Sequence, residues 1–407
     1  MKILLINPPS PYLENDASYP PMGLMYVAAA LEKLNHTVEI LDLTVAKPWE
    51  KAIRDLSWDS VNLIGITCVT PNVPMVAEVV RNLPEHIPKM IGGAHPTFLP
   101  DDALEKTGCD VAFSGEAEIG IRDVISDLEN KSLKRVYQGN IVPVDAIPKP
   151  ARHLVDLFRY TPGGDAASPV YTSRGCPFNC RFCSKITGNK YREIPIPQII
   201  EEINDILDRG FKKIVFGDDN IASNPKRLEA LLAAIKPLDI RFRLNQDARH
   251  NNKRLFELAY HCGCTDISFG IESGSQRMLD AMHKQTTVEK NAEAIQLTQK
   301  SGMEAKAYFM VNFPGETEES VQETLEFAKR ARPDKWLLSA FAPLPGSHVF
   351  NHPEKFGITH MSENWGDYYL VGRDGKFHPC FTTKYLTFEK QMELHDMMYN
   401  GLKEILG

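Results

Sequence analysis

Cys176, Cys180 and Cys183 stand in the stretch SRGCPFNCRFCSK with the spacing C-x-x-x-C-x-x-C. Three soft thiolates this close together select zinc or an iron–sulfur cluster over a hard cation. In a 4Fe–4S cluster, three cysteines leave one iron without a protein ligand, open to an exogenous group. Gly175 lets the backbone come close, and Pro177 stiffens the loop. Arg174, Arg181 and Lys185 would offset the thiolate charge. On these residues alone, a structural zinc loop with a distant fourth ligand stays open.

Such a loop needs a rigid frame. Val170 and Tyr171, apolar and β-friendly, precede it, so the loop follows a strand. Downstream, helical spacing over Pro197 to Arg209, Lys226 to Ile235 and Lys253 to Cys262 alternates with strands at Lys213 to Gly217, Arg241 to Asn245 and Asp266 to Gly270. Val288 to Ser301 and Glu319 to Ala331 continue the helices, and Ala305 to Phe309 and Lys335 to Ser339 the strands. Together these make about six βα units where eight would close a barrel, so an open partial barrel is expected.

The N-terminal third alternates in the same way. Strands are expected at Lys2 to Ile6, Val38 to Leu43, Leu63 to Cys68, Met90 to Gly92 and Val111 to Phe113. Helices are expected at Gly23 to Leu34, Trp49 to Leu56, Val73 to Leu83 and Glu118 to Leu128. Alternation of this kind implies a parallel sheet with helices on both faces.

In both architectures the working residues sit at the carboxyl ends of strands. The barrel ends read GDDN, LNQDAR, GIESGS, NFPGE and SAFAPLPGS, and carry Asp218, Asp219, Asn245, Asp247, Glu272, Ser273, Pro314 and Gly315. Each acidic residue among them could equally be a helix N-cap. The N-terminal ends read NPPSPY, TCVTPNVP, GGAHPT and SGEAE, and carry Asn7, Thr70, Gly92, Gly93 and Glu116. Loops rich in Gly, Pro and small polar residues suit a flat ligand. No G-x-G-x-x-G follows the first strand, which argues against a dinucleotide, and there is no P-loop.

The 407-residue chain is 43% apolar and 24% charged, with net charge −7, ordinary values for a chain with sizeable cores. No dense Lys/Arg run points to nucleic acid, and no apolar stretch is long enough for a transmembrane helix. The opening MKILLINPPSPY reads as a buried strand rather than a signal peptide. Cys68, Cys109, Cys262, Cys264 and Cys380 read as buried thiols of a reducing cytoplasm. The expected division is a domain over 1–140, a linker over 141–167, the barrel over 168–347 and a tail over 348–407. The linker is marked by Pro143, Pro148, Pro150, Pro162, Gly163 and Gly164. The tail ends in an amphipathic helix, Phe388 to Ile405, capped by Thr387. It is expected to cover the open side of the barrel, with Trp365, Tyr368 and Tyr369 as substrate contacts or packing. So short a lid favours a small or medium substrate.

The cysteine stretch resembles the signature of radical S-adenosylmethionine (SAM) enzymes, and the resemblance runs through residues 168–347. PPMGLMYVAAALEK, IGGAHPTFLP and FSGEAE, within residues 1–140, are similar to the cobalamin-binding domain attached to many of those enzymes. The resemblance implies an α/β chain: a Rossmann-like doubly wound parallel sheet, a partial (β/α)6 TIM-type barrel and a short α-rich C-terminal tail. It implies a 4Fe–4S cluster on Cys176, Cys180 and Cys183, whose open iron chelates the amino and carboxylate groups of SAM. It places SAM contacts at Asp218 and Asp219, at Glu272 and Ser273 with Asn245 and Asp247 as alternatives, and a backbone contact to adenine at Pro314 and Gly315. GDD stands here where GGE is commoner, so the oxygen that takes the amino group is open.

Cobalamin is implied at Asn7, Thr70, Gly92, Gly93 and Glu116. The chain lacks D-x-H-x-x-G, so no histidine is expected on cobalt, and His95 is expected to orient its loop. The implied reaction is reductive cleavage of SAM to a 5′-deoxyadenosyl radical and methyl transfer from methylcobalamin to an unactivated carbon. A radical SAM enzyme with an empty N-terminal domain, or one catalysing cyclisation, ring contraction, oxidation or methylthiolation, is the alternative; a metal- or cobalamin-binding sensor is the non-enzymatic one. The implied partners are the substrate and an electron donor such as flavodoxin or ferredoxin, in the cytoplasm, without nucleic acid or membrane.

Overall fold

The computed structural model describes residues 1–13, 15–160, 167–249, 251–369 and 377–407. Pro162, Gly163 and Gly164 of the expected linker, and 370–376 of the tail, lie outside the described residues. The chain forms two compact units, one of Met1–Ser168 with Asn364–Tyr368, the other of Pro169–Glu363 with Tyr369–Gly407.

The first unit is built on six strands: β1 (Lys2–Asn7), β2 (Thr37–Asp42), β3 (Val61–Thr67), β4 (Lys89–Gly92), β5 (Val111–Ser114) and β6 (Val136–Gln138). They pair in parallel in the order β2-β1-β3-β4-β5-β6. The helices are α1 (Met22–Lys33), α2 (Trp49–Arg54), α3 (Val73–Arg81), α4 (Ala94–Phe98), α5 (Pro100–Thr107) and α6 (Ile121–Glu129). The run KILLIN is apolar throughout because both faces of β1 are covered. Leu4 and Ile6 enter one core, and Ile3 and Leu5 enter the other. Their alternation is the period of two that a strand imposes.

Three features differ from the sequence expectation. Residues between Gly92 and Val111 hold two short helices, α4 and α5. Pro96 and Pro100 obscure their pattern, although Pro is tolerated in a first helical turn. Residues 141–160, read as a linker, lie on the first unit: Ala151 N–H donates to Met25 O at 3.0 Å, and Tyr160 OH to Asp42 Oδ2 at 2.7 Å. Trp365 and Tyr368 of the tail also pack within this unit, ring against ring at 4.9 Å.

The second unit opens with β7 (Ala167–Val170), followed by a two-strand ribbon of β8 (Ser173–Arg174) and β9 (Arg192–Glu193). Helices α7 (Ile196–Asp208), α8 (Pro225–Ile235), α9 (Lys253–His261), α10 (Gln276–Ala281), α11 (Val288–Lys300) and α12 (Glu318–Ala331) connect β10 (Lys213–Phe216), β11 (Arg241–Gln246), β12 (Cys264–Glu272), β13 (Glu304–Val311) and β14 (Lys335–Ala340). The six-stranded sheet runs β14-β13-β12-β11-β10-β7 in strict sequence. That is the open (β/α)6 partial barrel. Side chains of Asn224, Asn252, Thr287 and Thr317 cap α8, α9, α11 and α12, each accepting a backbone N–H of the first turn. The tail adds α13 (His348–Asn351), an antiparallel pair of β15 (Ile358–Met361) and β16 (Phe381–Thr383), and α14 (Phe388–Leu406). Thr387 caps α14, accepting from Lys390 N at 3.2 Å, as its position predicts.

Leu5 is 1% exposed and fills the core on its face of β1. Leu5→Ala is therefore expected to cost about 2–5 kcal/mol. Exposed Glu39 on β2 makes only a surface ion pair with Lys2 at 2.9 Å, and Glu39→Ala is expected to change stability by less than about 1 kcal/mol. Urea denaturation of the two variants checks the contrast, and equal midpoints would contradict the two-core reading of β1.

Candidate functional site

Cys176, Cys180 and Cys183 lie half-buried on the loop between β8 and β9. Gly175, at φ +82°, starts it; a Cβ there would sit 2.4 Å from Lys190 O. Lys185 closes the loop on itself, donating to Cys176 O at 3.2 Å and Asn189 Oδ1 at 2.7 Å. Further bonds tie the loop to the rest of the unit. Arg181 N–H donates to Met282 O at 2.9 Å, and Ser184 Oγ to Pro345 O at 2.6 Å. Burial pushes the Cys183 thiol up to about 12 and raises Cys176 as well. A thiolate at such positions needs a cation to hold it, which is the chemistry of a metal site. Among the described residues, no three His, Cys, Asp or Glu side chains are placed to hold a single metal ion. Three thiols on one loop are the donor set that an iron–sulfur cluster takes.

One side chain missed from the sequence dominates this loop. Arg249, 8% exposed, stacks its guanidinium 3.6 Å from the centre of the Phe178 ring. Its Nη2 donates to Cys180 Sγ at 3.4 Å, its Nε donates to Lys284 O at 2.8 Å, and Nη1 lies 3.4 Å from Asp247 Oδ2. It lies in LNQDAR, one of the strand-end loops, and its charge two residues from Asp247 was the available signal.

The expected SAM residues take different places. Asp219 is exposed, and its charge acts on both Cys176 and Cys183. Asp218, by contrast, is buried, with its oxygens committed to Thr172 N–H, Thr172 Oγ1 and Ser173 Oγ. It anchors the strand that leads into the cysteine loop, which leaves it poorly placed for the SAM amino group. Asn245 is half-buried, its Nδ2 3.5 Å from Phe216 O. Asp247 is held by Asn220 Nδ2 and Arg249. Glu272, 9% exposed and at φ +64°, pairs with buried Lys284 at 2.8 Å. The left-handed backbone of a non-glycine residue costs conformational energy. Lys284 follows α10 with no motif to announce it. Ser273 is buried against Thr324 Oγ1 at 3.1 Å and supports the fold. Pro314 is buried, and Gly315 is exposed with its carbonyl accepting from Arg277 Nη1 at 2.9 Å.

In the first unit, the strand order reverses between β1 and β3, the switch point at which such sheets bind ligands. Asn72, on the loop after β3, donates Nδ2 to Ser10 Oγ on the loop after β1 at 3.1 Å. Asn72 Oδ1 is buried without a hydrogen-bond partner among the described residues. A donor from a bound ligand would satisfy it, and the amides around a corrin ring are such donors. The cradle therefore fits cobalamin. Asn7 donates to Asp42 Oδ1 at 3.0 Å, and Gly92 O accepts from Cys68 N–H at 2.8 Å with Gly93 following. Glu116 Oε2 accepts from Val142 N–H at 2.6 Å. Thr70 is buried, its Oγ1 3.4 Å from His95 Nδ1. His95 is fully buried, with Nε2 2.9 Å from Asp102 and the Trp365 ring edge-on at 5.0 Å. Both ring nitrogens face protein partners, so His95 orients its loop.

Comparison with known proteins agrees with this geometry. The radical SAM superfamily profile matches residues 170–328, and the B12-binding domain profile matches residues 15–125. An uncharacterized methyltransferase of Pyrococcus horikoshii is 30% identical over 424 residues, spanning 97% of this chain and 90% of its own. The chain belongs to the cobalamin-dependent radical SAM methyltransferases. The bacteriochlorophyllide d C-12(1)-methyltransferase of Chlorobaculum tepidum is 27% identical, covering 96% of this chain and 85% of that relative. The fold is that of the radical SAM methyltransferase TsrM from Kitasatospora setae, solved with tryptophan and a SAM analogue, with TM-score 0.79 at 16% identity. That likeness covers 100% of this chain and 89% of TsrM. The cobalamin-dependent enzyme OxsB, with aqua-cobalamin bound, superposes at TM-score 0.73 and 17% identity over 96% of this chain and 65% of OxsB. The enzyme's cofactors are a 4Fe–4S cluster, SAM and cobalamin. Like other radical SAM enzymes it uses a substrate and an electron donor. Among the described residues, no helix is long and apolar enough to cross a membrane.

Two predictions follow from the buried charges. Glu272→Ala leaves Lys284 buried without its partner, so it is expected to cost about 3–5 kcal/mol, against the usual tolerance of a strand-end loop. Denaturation of Glu272→Ala beside the Glu272→Gln, Lys284→Met double variant reads this; the double variant is expected to recover most of the loss. Glu316, after β13, is buried, and burial raises its carboxyl to about 7 despite the Ser320 Oγ bond at 2.6 Å. A carboxyl raised on folding stabilises most at low pH, below its unfolded value. Stability is then expected to fall as pH rises from about 4.5 through 7, by at most ~1.4 kcal/mol per pH unit, a slope that Glu316→Gln removes.

Proposed function

We propose that the enzyme methylates an unactivated carbon of a small or medium substrate, with Cys176, Cys180 and Cys183 holding the cluster. Those three thiolates would leave one iron for the amino and carboxylate groups of SAM, with the exposed carboxylate of Asp219 close to the loop. The reduced cluster, when bound, gives one electron to SAM and releases the 5′-deoxyadenosyl radical, while cobalamin supplies the methyl group. Arg249 donates to Cys180 Sγ and offsets charge on the cluster. Glu272, Asn245, Pro314 and Gly315 are proposed to bound the SAM side of the strand ends, with Asp218 and Ser273 holding the strands that carry them.

Cobalamin is proposed at the edge formed by Asn7, Thr70, Asn72, Gly92, Gly93 and Glu116. The observation that carries the reading is the combination, in one chain, of a three-thiol loop with a switch-point edge whose histidine is turned inward. His95 is turned to Thr70 and Asp102 and would supply no ligand to a cobalamin bound at this edge.

Relatives that name a substrate act on different molecules: bacteriochlorophyllide d in one case, cytidylyl-2-hydroxyethylphosphonate in another. Another relative, 26% identical over 86% of this chain and 63% of its own, is an anaerobic magnesium-protoporphyrin IX monomethyl ester cyclase; methylation is supported by the methyltransferase relatives, which span 96–97% of this chain and 85–90% of their own. Buried cysteines and a net charge of −7 support a cytoplasmic enzyme without a nucleic-acid partner, served by a flavodoxin or ferredoxin.

Anaerobic reconstitution with iron, sulfide and cobalamin tests the assignment. The wild type is expected to form 5′-deoxyadenosine and S-adenosylhomocysteine from SAM, and any of the three Cys→Ala variants none of the former. Stoichiometric zinc without iron after strictly anaerobic purification would refute the cluster assignment. His95→Ala is expected to leave the spectrum of bound cobalamin unchanged. Failure of the wild type to retain cobalamin in gel filtration would refute the second site. Arg249→Gln is expected to lower the midpoint potential of the cluster, because an N–H···S bond and a positive charge both favour the reduced state. An unchanged potential in a redox titration followed by electron paramagnetic resonance would show that the bond to Cys180 has no electronic role.

A further inference from the structure

Three buried oxygens of the second unit have no hydrogen-bond partner among the described residues: Asn312 Oδ1, Glu316 Oε2 and Gln391 Oε1. Asn312 and Gln391 are fully buried, and Glu316 is 4% exposed. They come from the residue after β13, the loop before α12 and the start of α14. Asn312 joins the other two. Its backbone N–H reaches the Glu316 carboxyl, and its Nδ2 donates to Gln391 O at 3.1 Å.

Neither amide can be turned to fill the gap. Asn312 Nδ2 is spent on the Gln391 carbonyl, and Gln391 Nε2 donates to Phe381 O at 2.7 Å and Leu386 O at 3.3 Å. Exchanging O for N in either amide would set oxygen against a carbonyl oxygen. Glu316 Oε1 is already taken by Ser320 Oγ at 2.6 Å. Arg277, whose charge reaches Glu316, spends Nη1 on Gly315 O and Nη2 on Thr317 Oγ1. What remains is a set of acceptors with no donor, and a buried acceptor left unmet is costly.

A proton on Glu316 would meet one of these oxygens and a water two, whereas a cation meets all three at once. Carboxylate and amide oxygens are hard ligands and select a hard cation. The group brings one buried carboxylate; Glu323, whose charge also reaches Glu316, is exposed. One negative charge matches one positive charge, while calcium sites draw on several carboxylates.

We infer that Asn312, Glu316 and Gln391 bind a monovalent alkali cation, sodium or potassium, with water completing its shell. None of the three is assigned to the cluster, SAM or cobalamin. The bound ion ties the loop after β13 to α14, the tail helix.

The test takes the reconstituted holoenzyme into choline chloride, whose cation is too large for the site, at about pH 8, where Glu316 is ionised. Sodium chloride or potassium chloride then replaces choline at matched ionic strength. Amide hydrogen exchange is read by mass spectrometry in peptides covering 312–320 and 388–395. Either ion is expected to slow exchange there saturably, by at least about fivefold, and the lower half-saturating concentration names the resident ion. Glu316→Gln removes the charge and is expected to lose the response. Asn312→Asp adds a second carboxylate, in a residue type that tolerates φ +70°, and is expected to move the response to calcium chloride. In choline the pH-dependent loss of stability carried by Glu316 persists, because no ion holds its charge. Equal exchange of the wild type in all three salts would assign the oxygens to buried water and overturn the inference. A wild type that answers to calcium or magnesium and not to sodium or potassium would overturn it too, as would an unaltered alkali response in either variant.

Discussion

The second unit depends on how one buried cation is held. Arg249 cannot shed its proton, so its charge has to be met by neighbours wherever the chain buries it. Phe178 offers a ring face, Asp247 a carboxylate, Lys284 a carbonyl and Cys180 a sulfur. They come from three segments: Phe178 and Cys180 from the cysteine loop, Asp247 from the end of β11 and Lys284 from the turn after α10. Satisfying one guanidinium therefore draws three segments to one point. The same cation lies against the loop whose Cys176 and Cys183 thiols burial raises.

Local periodicity carried most of the architecture. KILLIN, the spacing of apolar residues in α1, and the strict alternation from Lys213 to Ala340 read correctly because each strand and helix buries a face that its own residues specify. The failures have physical reasons. GGAHPT read as a loop rich in Gly and Pro, yet Pro96, like Pro100, sits in a first helical turn, where no donor is lost. Residues 141–160 looked like a linker because they lack a period. They are held by single backbone and side-chain bonds, which leave no period to find.

The site was legible in kind and less so in detail. Cysteine spacing is a local code, so the loop was plain. Asp218 and Asp219 are neighbours in sequence, but successive residues leaving a strand point to opposite sides. One is consumed by Thr172 and Ser173, while the other faces solvent. Nothing local distinguishes them. Lys284 and Asn72 are defined by partners 12 and 62 residues away, so only the folded chain reveals them.

Gly270 shows what this tight arrangement means for the history of the chain. A Cβ at that position would sit 2.5 Å from Glu272 Oε1 and 2.8 Å from Lys284 Nζ. The ion pair occupies the volume that any side chain at 270 would need. A lineage that gains even a methyl group there must give up or move the pair in the same step. One that loses the lysine first leaves a buried acid alone. A side chain gained at 270 therefore acts first on the geometry of the Glu272–Lys284 pair, which ties the three positions to one another.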